Sequence, residues 1–232
     1  LLARARKSGE DAIYCARFVF LLWSANTKYF SALFLVDIVV KFMGKFLSSC
    51  TEEEASYFSR FLLMMLNAIN KWNESKDNYD RKFKNLNGFI VDYKLEKKIP
   101  FKSIGNFVDR WHKWIASNCA HSLSSKEYLM VRNMISCLIT IVSAFPKNPE
   151  SSLELEEKVK IIIDGTKMPD LKLLSTRYLA LLKSKRVREK EEKEKKDEKR
   201  SSSRSSKSSR RANNKSRSRS NSRAKNKRGQ RR

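Results

Sequence analysis

Apolar residues return along this chain at three- and four-residue spacing, in blocks longer than strands usually run, and that rhythm predicts seven helices in succession. The first covers Glu10 to Trp23 and is apolar on nearly every side around Asp11 and Arg17, which suits a helix covered by neighbours. A second runs from about Phe30 to Leu47. Thr51 with Glu54 three residues on has the form of a capping box and opens the third. In that helix Phe58, Leu62, Met65, Leu66, Ile69 and Trp72 share one face, and the pattern fades near Asn85 to Gly88. A fourth follows Pro100, with Ile104, Phe107, Val108, Trp111 and Ile115 in phase. Ser124 and Glu127 form a second expected capping box, ahead of Tyr128, Ile135, Leu138 and Val142, and Pro146 and Pro149 are expected to end that fifth helix. Leu155, Val159, Ile162 and Ile163 mark a sixth. Pro169 stands at a first helical position of a seventh, with Leu171, Leu174, Tyr178 and Leu182 inward.

The apolar face disappears after Leu182. Lys183 to Arg200 is a mixed-charge run in which Glu189, Glu191 and Glu192 stand four residues before Lys193, Lys195 and Lys196, a spacing that supports a solvated helix. From Ser201 to Arg232 there are 13 basic residues, 11 serines and no acid, with two alanines as the apolar content. Such a stretch has nothing to bury against the entropy of ordering, so the expectation is a disordered tail. The predicted organisation is therefore an all-α scaffold domain over Leu1 to Leu182, a charged helical extension over Lys183 to Arg200, and a disordered basic tail over Ser201 to Arg232. Helices of these lengths with short links suit an irregular α-solenoid of stacked helical pairs. No repeat holds a fixed period, so a compact irregular bundle is the other arrangement.

Composition sharpens this picture in three places. The 232 residues include 50 Lys plus Arg against 25 Asp plus Glu, a formal charge of +25, far beyond what solubility needs, and the excess points to a polyanionic partner. Only 6 Gly and 4 Pro occur, which disfavours parallel sheets and glycine-rich phosphate loops. The most apolar stretch, Tyr29 to Val40, is interrupted by Asp37 and followed by Lys41 and Lys45, too short and too charged to span a bilayer. Cys15, Cys50, Cys119 and Cys137 lie far apart, without zinc-site pairs or the density of a disulfide scaffold, and fit a reducing compartment. The chain opens on Leu with no leader pattern, as expected of a piece of a longer protein.

Catalysis needs a nucleophile with its base, a carboxylate pair, or metal ligands at workable spacing, and the sequence offers none of these: no catalytic, cofactor-binding or metal residue is assigned. His112 and His121 are the two histidines; Cys119 with His121 is half a zinc site at most, and structural roles are expected for all three. Trp111, His112 and Trp114 form an aromatic cluster able to stack on bases. Trp111 is in phase with the apolar face, so core packing is the expectation, and only Trp114 falls off that face. The nucleic-acid-binding residues assigned from sequence are Arg204, Lys207, Arg210, Arg211, Lys215, Arg217, Arg219, Arg223, Lys225, Lys227, Arg228, Arg231 and Arg232. Each can displace condensed counterions from a phosphate backbone, which gives affinity for RNA or DNA with little sequence choice. Clusters of this kind also serve as nuclear-import signals. They have no aliphatic or aromatic residue to insert, which argues against a membrane surface. Phosphate added to the interleaved serines would reverse the local charge.

Several strings taken together resemble the C-terminal helical region of the THO complex subunit 2 family. They are Asp11-Ala12-Ile13-Tyr14-Cys15-Ala16-Arg17-Phe18-Val19, the Ser49-Cys50-Thr51-Glu52 start with Glu54-Ala55-Ser56, Arg60-Phe61-Leu62, Met65-Leu66 and Trp72. The likeness continues in order through Tyr79, Gly88-Phe89, Trp111-His112-Lys113, Arg132-Asn133, Pro169-Asp170-Leu171, Tyr178 and Leu182-Lys183-Ser184. Where the family reads Cys and Pro ahead of the Gly-Phe step, this chain has Phe83 and Asn87; its tail is similar in charge character alone. The resemblance implies a nuclear, non-catalytic scaffold of the THO core of the transcription-export assembly, partnered by other THO complex subunits, by the DEAD-box RNA helicase of the export machinery, and by RNA or DNA. A rival reading from another class is a splicing-type regulator whose Arg-Ser tail recruits proteins under phosphorylation control.

Overall fold

The computed structural model describes residues 1–92, 97–192 and 194–195. The backbone is helical apart from one short antiparallel ladder. The helices are α1 (Gly9–Ser24), α2 (Ala32–Ser48), α3 (Glu52–Trp72), α4 (Lys76–Lys82), α5 (Phe101–Leu123), α6 (Tyr128–Ile141), α7 (Pro149–Gly165) and α8 (169–192). A 3-10 turn at Asn87–Phe89 leads into strand β1 (Ile90–Asp92), which pairs with β2 (Lys97–Lys98) in the register Ile90 with Lys98 and Asp92 with Lys97. Each of the seven helices expected from periodicity is present, and α4 and the ladder are additional. The chain forms two units, Leu1–Lys183 and Ser184–Arg232.

Polar side chains set the ends of these helices. Ser8, Ser31 and Ser75 accept hydrogen bonds from backbone N–H groups of the first turns of α1, α2 and α4. The Thr51 box is complete: the Glu54 N–H donates to the Thr51 hydroxyl at 3.3 Å, and the Thr51 N–H donates to the Glu54 carboxylate at 2.9 Å. The expected Ser124–Glu127 box does not form. Helix α5 runs eight residues past Ile115, to Leu123, so Ser124 closes α5 and donates its hydroxyl to the Ala120 carbonyl at 2.9 Å. The Glu127 N–H is instead taken by Ser125 at 3.1 Å. Pro149 also differs from expectation: it does not end the fifth helix, which stops at Ile141, but opens α7 behind the Asn148 cap, where a missing N–H costs nothing.

Within Leu1–Lys183 the strong pairings skip along the chain. Helix α3 lies between α1 and α6, while α5 packs on α2, α6 and α7, so the architecture is one of stacked helical pairs in irregular order. The stripe expected on α3 is buried throughout: Phe58, Leu62, Met65, Leu66, Ile69 and Trp72 are each at most 1% exposed. At its end Trp72 meets rings from four other segments, with centroids 4.9 Å to Trp23, 4.8 Å to Phe89, 6.1 Å to Trp111 and 6.5 Å to Phe83. Ile104, Val108, Trp111 and Ile115 are buried on α5, and Leu171, Tyr178 and Leu182 on the last helix. Tyr128 is an exception: it is exposed and its hydroxyl donates to Asp170.

Buried polar groups tie the helix ends together. The Asn133 amide, on α6, donates to the carbonyls of Leu47 at 3.1 Å and Cys50 at 2.8 Å, two groups that the end of α2 leaves without helical partners. Trp111 on α5 donates its indole N–H to Asp37 on α2. Gly44 allows α2 and α5 to close, since a Cβ there would sit 3.0 Å from Asn118 Oδ1. Between α1 and α2 the backbone of Asn26 is left-handed, φ 55°, a conformation asparagine tolerates. The Asn26 side chain accepts from the Asn87 N–H, and its carbonyl accepts from the Asn87 amide at 2.8 Å. A proline at position 87 would carry neither donor.

The second unit is described for its helical part alone, where Lys185 and Glu189 pair at 3.7 Å one turn apart. The expected pairs from Glu189 to Lys193 and from Glu192 to Lys196, and the disordered tail expected over Ser201 to Arg232, lie outside the described residues.

Asn133→Ala should cost about 2 kcal/mol, since it removes the amide donor from the buried Cys50 carbonyl and one of the donors from that of Leu47, read as a lower urea midpoint with an unchanged slope. The Asp170 carboxyl is held below its ordinary range by the Tyr128 hydroxyl first, with help from Arg132. Its contribution is therefore present above the ordinary carboxylate range and lost as the pH falls through the lowered value. Tyr128→Phe should move the Asp170 titration back upward in an NMR pH series.

Candidate nucleic-acid and docking surfaces

The thirteen basic residues assigned from sequence, Arg204 through Arg232, all lie outside the described residues. What the structure places are the body's own candidates. Trp111 is fully buried, as its phase implied. His112 is 6% exposed, with Nε2 3.0 Å from Asn70 Oδ1 and its ring stacked on Phe145 at 5.8 Å. Both are built into the junction of α3, α5 and the α6–α7 link. Cys119 is buried and His121 is exposed, although only two residues apart, because they fall on different sides of α5. Among the described residues no group of three or more His, Cys, Asp or Glu is placed to hold a metal ion. No described helix is long and apolar enough to cross a membrane.

Trp114 leaves the core. It is half-buried on the outer side of α5, and two cations lie over its ring: Lys41 Nζ from α2 and the Arg110 guanidinium from the preceding turn, each 4.9 Å from the centroid. Arg110 also covers Phe107 at 4.7 Å and reaches Asp37 at 3.4 Å. Next to the ring is a hollow of about 450 Å³ lined by Lys41, Trp114, Ser117, Asn118 and His121.

Two apolar features lie elsewhere on the body. A cavity of about 570 Å³ opens between α1, α3 and the segment around α4, lined by Phe20, Trp23, Met64, Ala68, Phe83 and Leu86 with Lys71 and Lys82 among them. Along α1, Tyr14, Phe18 and Leu21 are exposed at one-turn spacing; the first two rings stack at 6.1 Å, and Arg4 lies 4.6 Å over Tyr14. Sequence reasoning missed the cavity because its walls come from separate segments. It missed the α1 stripe because an all-round apolar helix gives no phase to mark its outer side.

The four thiols offer no reactive chemistry. All are free and buried. Burial pushes every one up, Cys137 to about 12 and Cys119 well above its ordinary value, so the nucleophilic thiolate is suppressed. Tyr79 is likewise pushed up to about 12 by burial and stays a neutral donor to the Ile99 carbonyl at 2.9 Å.

The family described as transcription factor/nuclear export subunit protein 2 matches residues 1–182. THO complex subunit 2 of Homo sapiens and that of Mus musculus are each 31% identical to the chain over 189 residues, 77% of this chain and 12% of theirs. THO complex subunit 2 of Arabidopsis thaliana is 29% identical over 192 residues, 80% of this chain and 10% of its own. The chain thus spans about an eighth of the animal relatives or less. By the match over residues 1–182 and by these relatives, the chain belongs to the THO complex subunit 2 family.

Proposed function

We propose that residues 1–182 are a non-catalytic docking body of a nuclear THO complex, and that Ser201 to Arg232 tether RNA or DNA to it by charge. The name of the relatives supports the assembly, and with it the other THO complex subunits as neighbours; a DEAD-box RNA helicase of the export machinery is the further partner that the family resemblance implies. The family description, which speaks of nuclear export, supports a place where transcription is coupled to packaging and export of messenger RNA.

The observation that carries the tail's role is its composition. Thirteen cations with no carboxylate among 32 residues can meet a phosphate backbone at any register. The body supports a different job: its polar atoms are used to join helices, and its apolar cavity and exposed α1 rings are the kind of surface that meets other proteins.

The Arg217-Ser218-Arg219-Ser220 run favours a second reading, in which the tail recruits proteins when its serines are phosphorylated. The two readings diverge under phosphate: nucleic-acid affinity falls in the first, protein affinity rises in the second.

Titration with a single-stranded RNA across a salt series, comparing the whole chain with a version ending at Leu182, decides between them. A tail-borne tether gives a log affinity that falls with log salt by about 0.7 per phosphate contact, and loses most of its affinity on truncation. Equal affinity of the truncated chain at physiological salt overturns the assignment.

A further inference from the structure

Trp114 packs on the core with one side of its ring, and its outer side and the hollow beside it have no part in the tail's proposed work. Three observations on that surface converge. The first is the ring itself. Of the four tryptophans, Trp23, Trp72 and Trp111 are at most 6% exposed, and Trp114 alone keeps part of its ring at the surface. The second is the cations: Lys41 and Arg110 both lie over that ring, one from each of two helices. The third is the lining, since none of Lys41, Trp114, Ser117, Asn118 and His121 carries a carboxylate.

A ring, a guanidinium already held over two rings, an exposed ammonium and a hydroxyl donor are what an unpaired nucleotide requires. A volume of about 450 Å³ is within the range of small-ligand sites. Asn118 is not free to act as a donor, because its amide already gives hydrogen bonds to the Val40 carbonyl at 3.2 Å and the Trp114 carbonyl at 3.0 Å. Its part is to hold Trp114 against α2. Arg110 is likewise steadied by Asp37, so the ring and the guanidinium are fixed while Lys41, which is exposed, can swing from ring to phosphate.

We infer that the α2–α5 surface around Trp114 is a second nucleic-acid site, one that stacks a base of a single strand on the indole while Lys41 and Arg110 meet the flanking phosphates. The inference deepens the reading of a nucleic-acid-binding chain but uses none of its tail residues. It also separates two contributions. The tail supplies salt-sensitive affinity without geometry, and the Trp114 site supplies a fixed contact that only an unpaired base can make.

Intrinsic tryptophan emission of the full chain tests it, because the other three indoles are at most 6% exposed. Saturation with a ten-residue oligouridylate at low salt should quench the emission, and the same length of double-stranded RNA should not. Trp114→Phe, a small change at a partly exposed position, should abolish the quench, and Trp114→Ala should weaken binding of the labelled oligonucleotide about fivefold, the low end for loss of one stacked base. Lys41→Ala should weaken binding while the quench at saturation remains. A chain with all thirteen tail cations replaced by glutamine separates the two readings. If it still shows the quench while its affinity drops, both sites stand; if it binds and quenches with undiminished affinity, the tail reading fails and this one holds. Oligouridylate that binds the full chain without quenching, or a quench that persists in Trp114→Phe, overturns the inference.

Discussion

One indole governs how this body closes. Trp72 sits at the last position of α3, and its faces and edges are met by Trp23 of α1, Phe83 beyond α4, Phe89 of the 3-10 turn and Trp111 of α5. Edge-on contacts of this kind set angles as well as distances, because a ring's positive rim seeks a neighbour's negative face. The consequence travels outward. Trp111, held by Trp72, presents its N–H to Asp37 and so fixes α5 on α2, and Asp37 in turn steadies Arg110 over Trp114. The surface ring is thus four contacts away from Trp72.

Much of this was legible in the residues and some was not, for reasons that can be named. The α3 stripe from Phe58 to Trp72 reads plainly because one face is wholly buried, and Thr51 with Glu54 marks its start without ambiguity. Helix α4, Lys76 to Lys82, does not read at all: it holds one apolar residue, Tyr79, and gains its place from that ring's burial against Phe89 and Phe101. Ser124 misleads because a serine three residues before a glutamate suits the end of one helix as well as the start of another. Pro149 misleads for the same reason in reverse. Trp114 was separated from Trp111 by phase alone, but the cations over it come from two helices, a fact no local window contains.

The charge reading stands on different ground. The tail's composition names thirteen residues at once, yet composition specifies no geometry, so those residues form a reservoir of charge and not a site. The body reverses this: where its charges are paired, as Arg110 is with Asp37, each has an address.

The buried thiols described above carry one further meaning. Four cysteines, one each on α1, α5 and α6 and one just past α2, are shut away from solvent and kept protonated by that burial. An oxidant or alkylating reagent therefore meets an inert surface while the helices hold, and meets four reactive groups spread over the whole body once they part. The molecule thereby carries its own record of having opened: any covalent mark on those sulfurs dates from an excursion out of the packed state, and which sulfur bears it tells which helix left first.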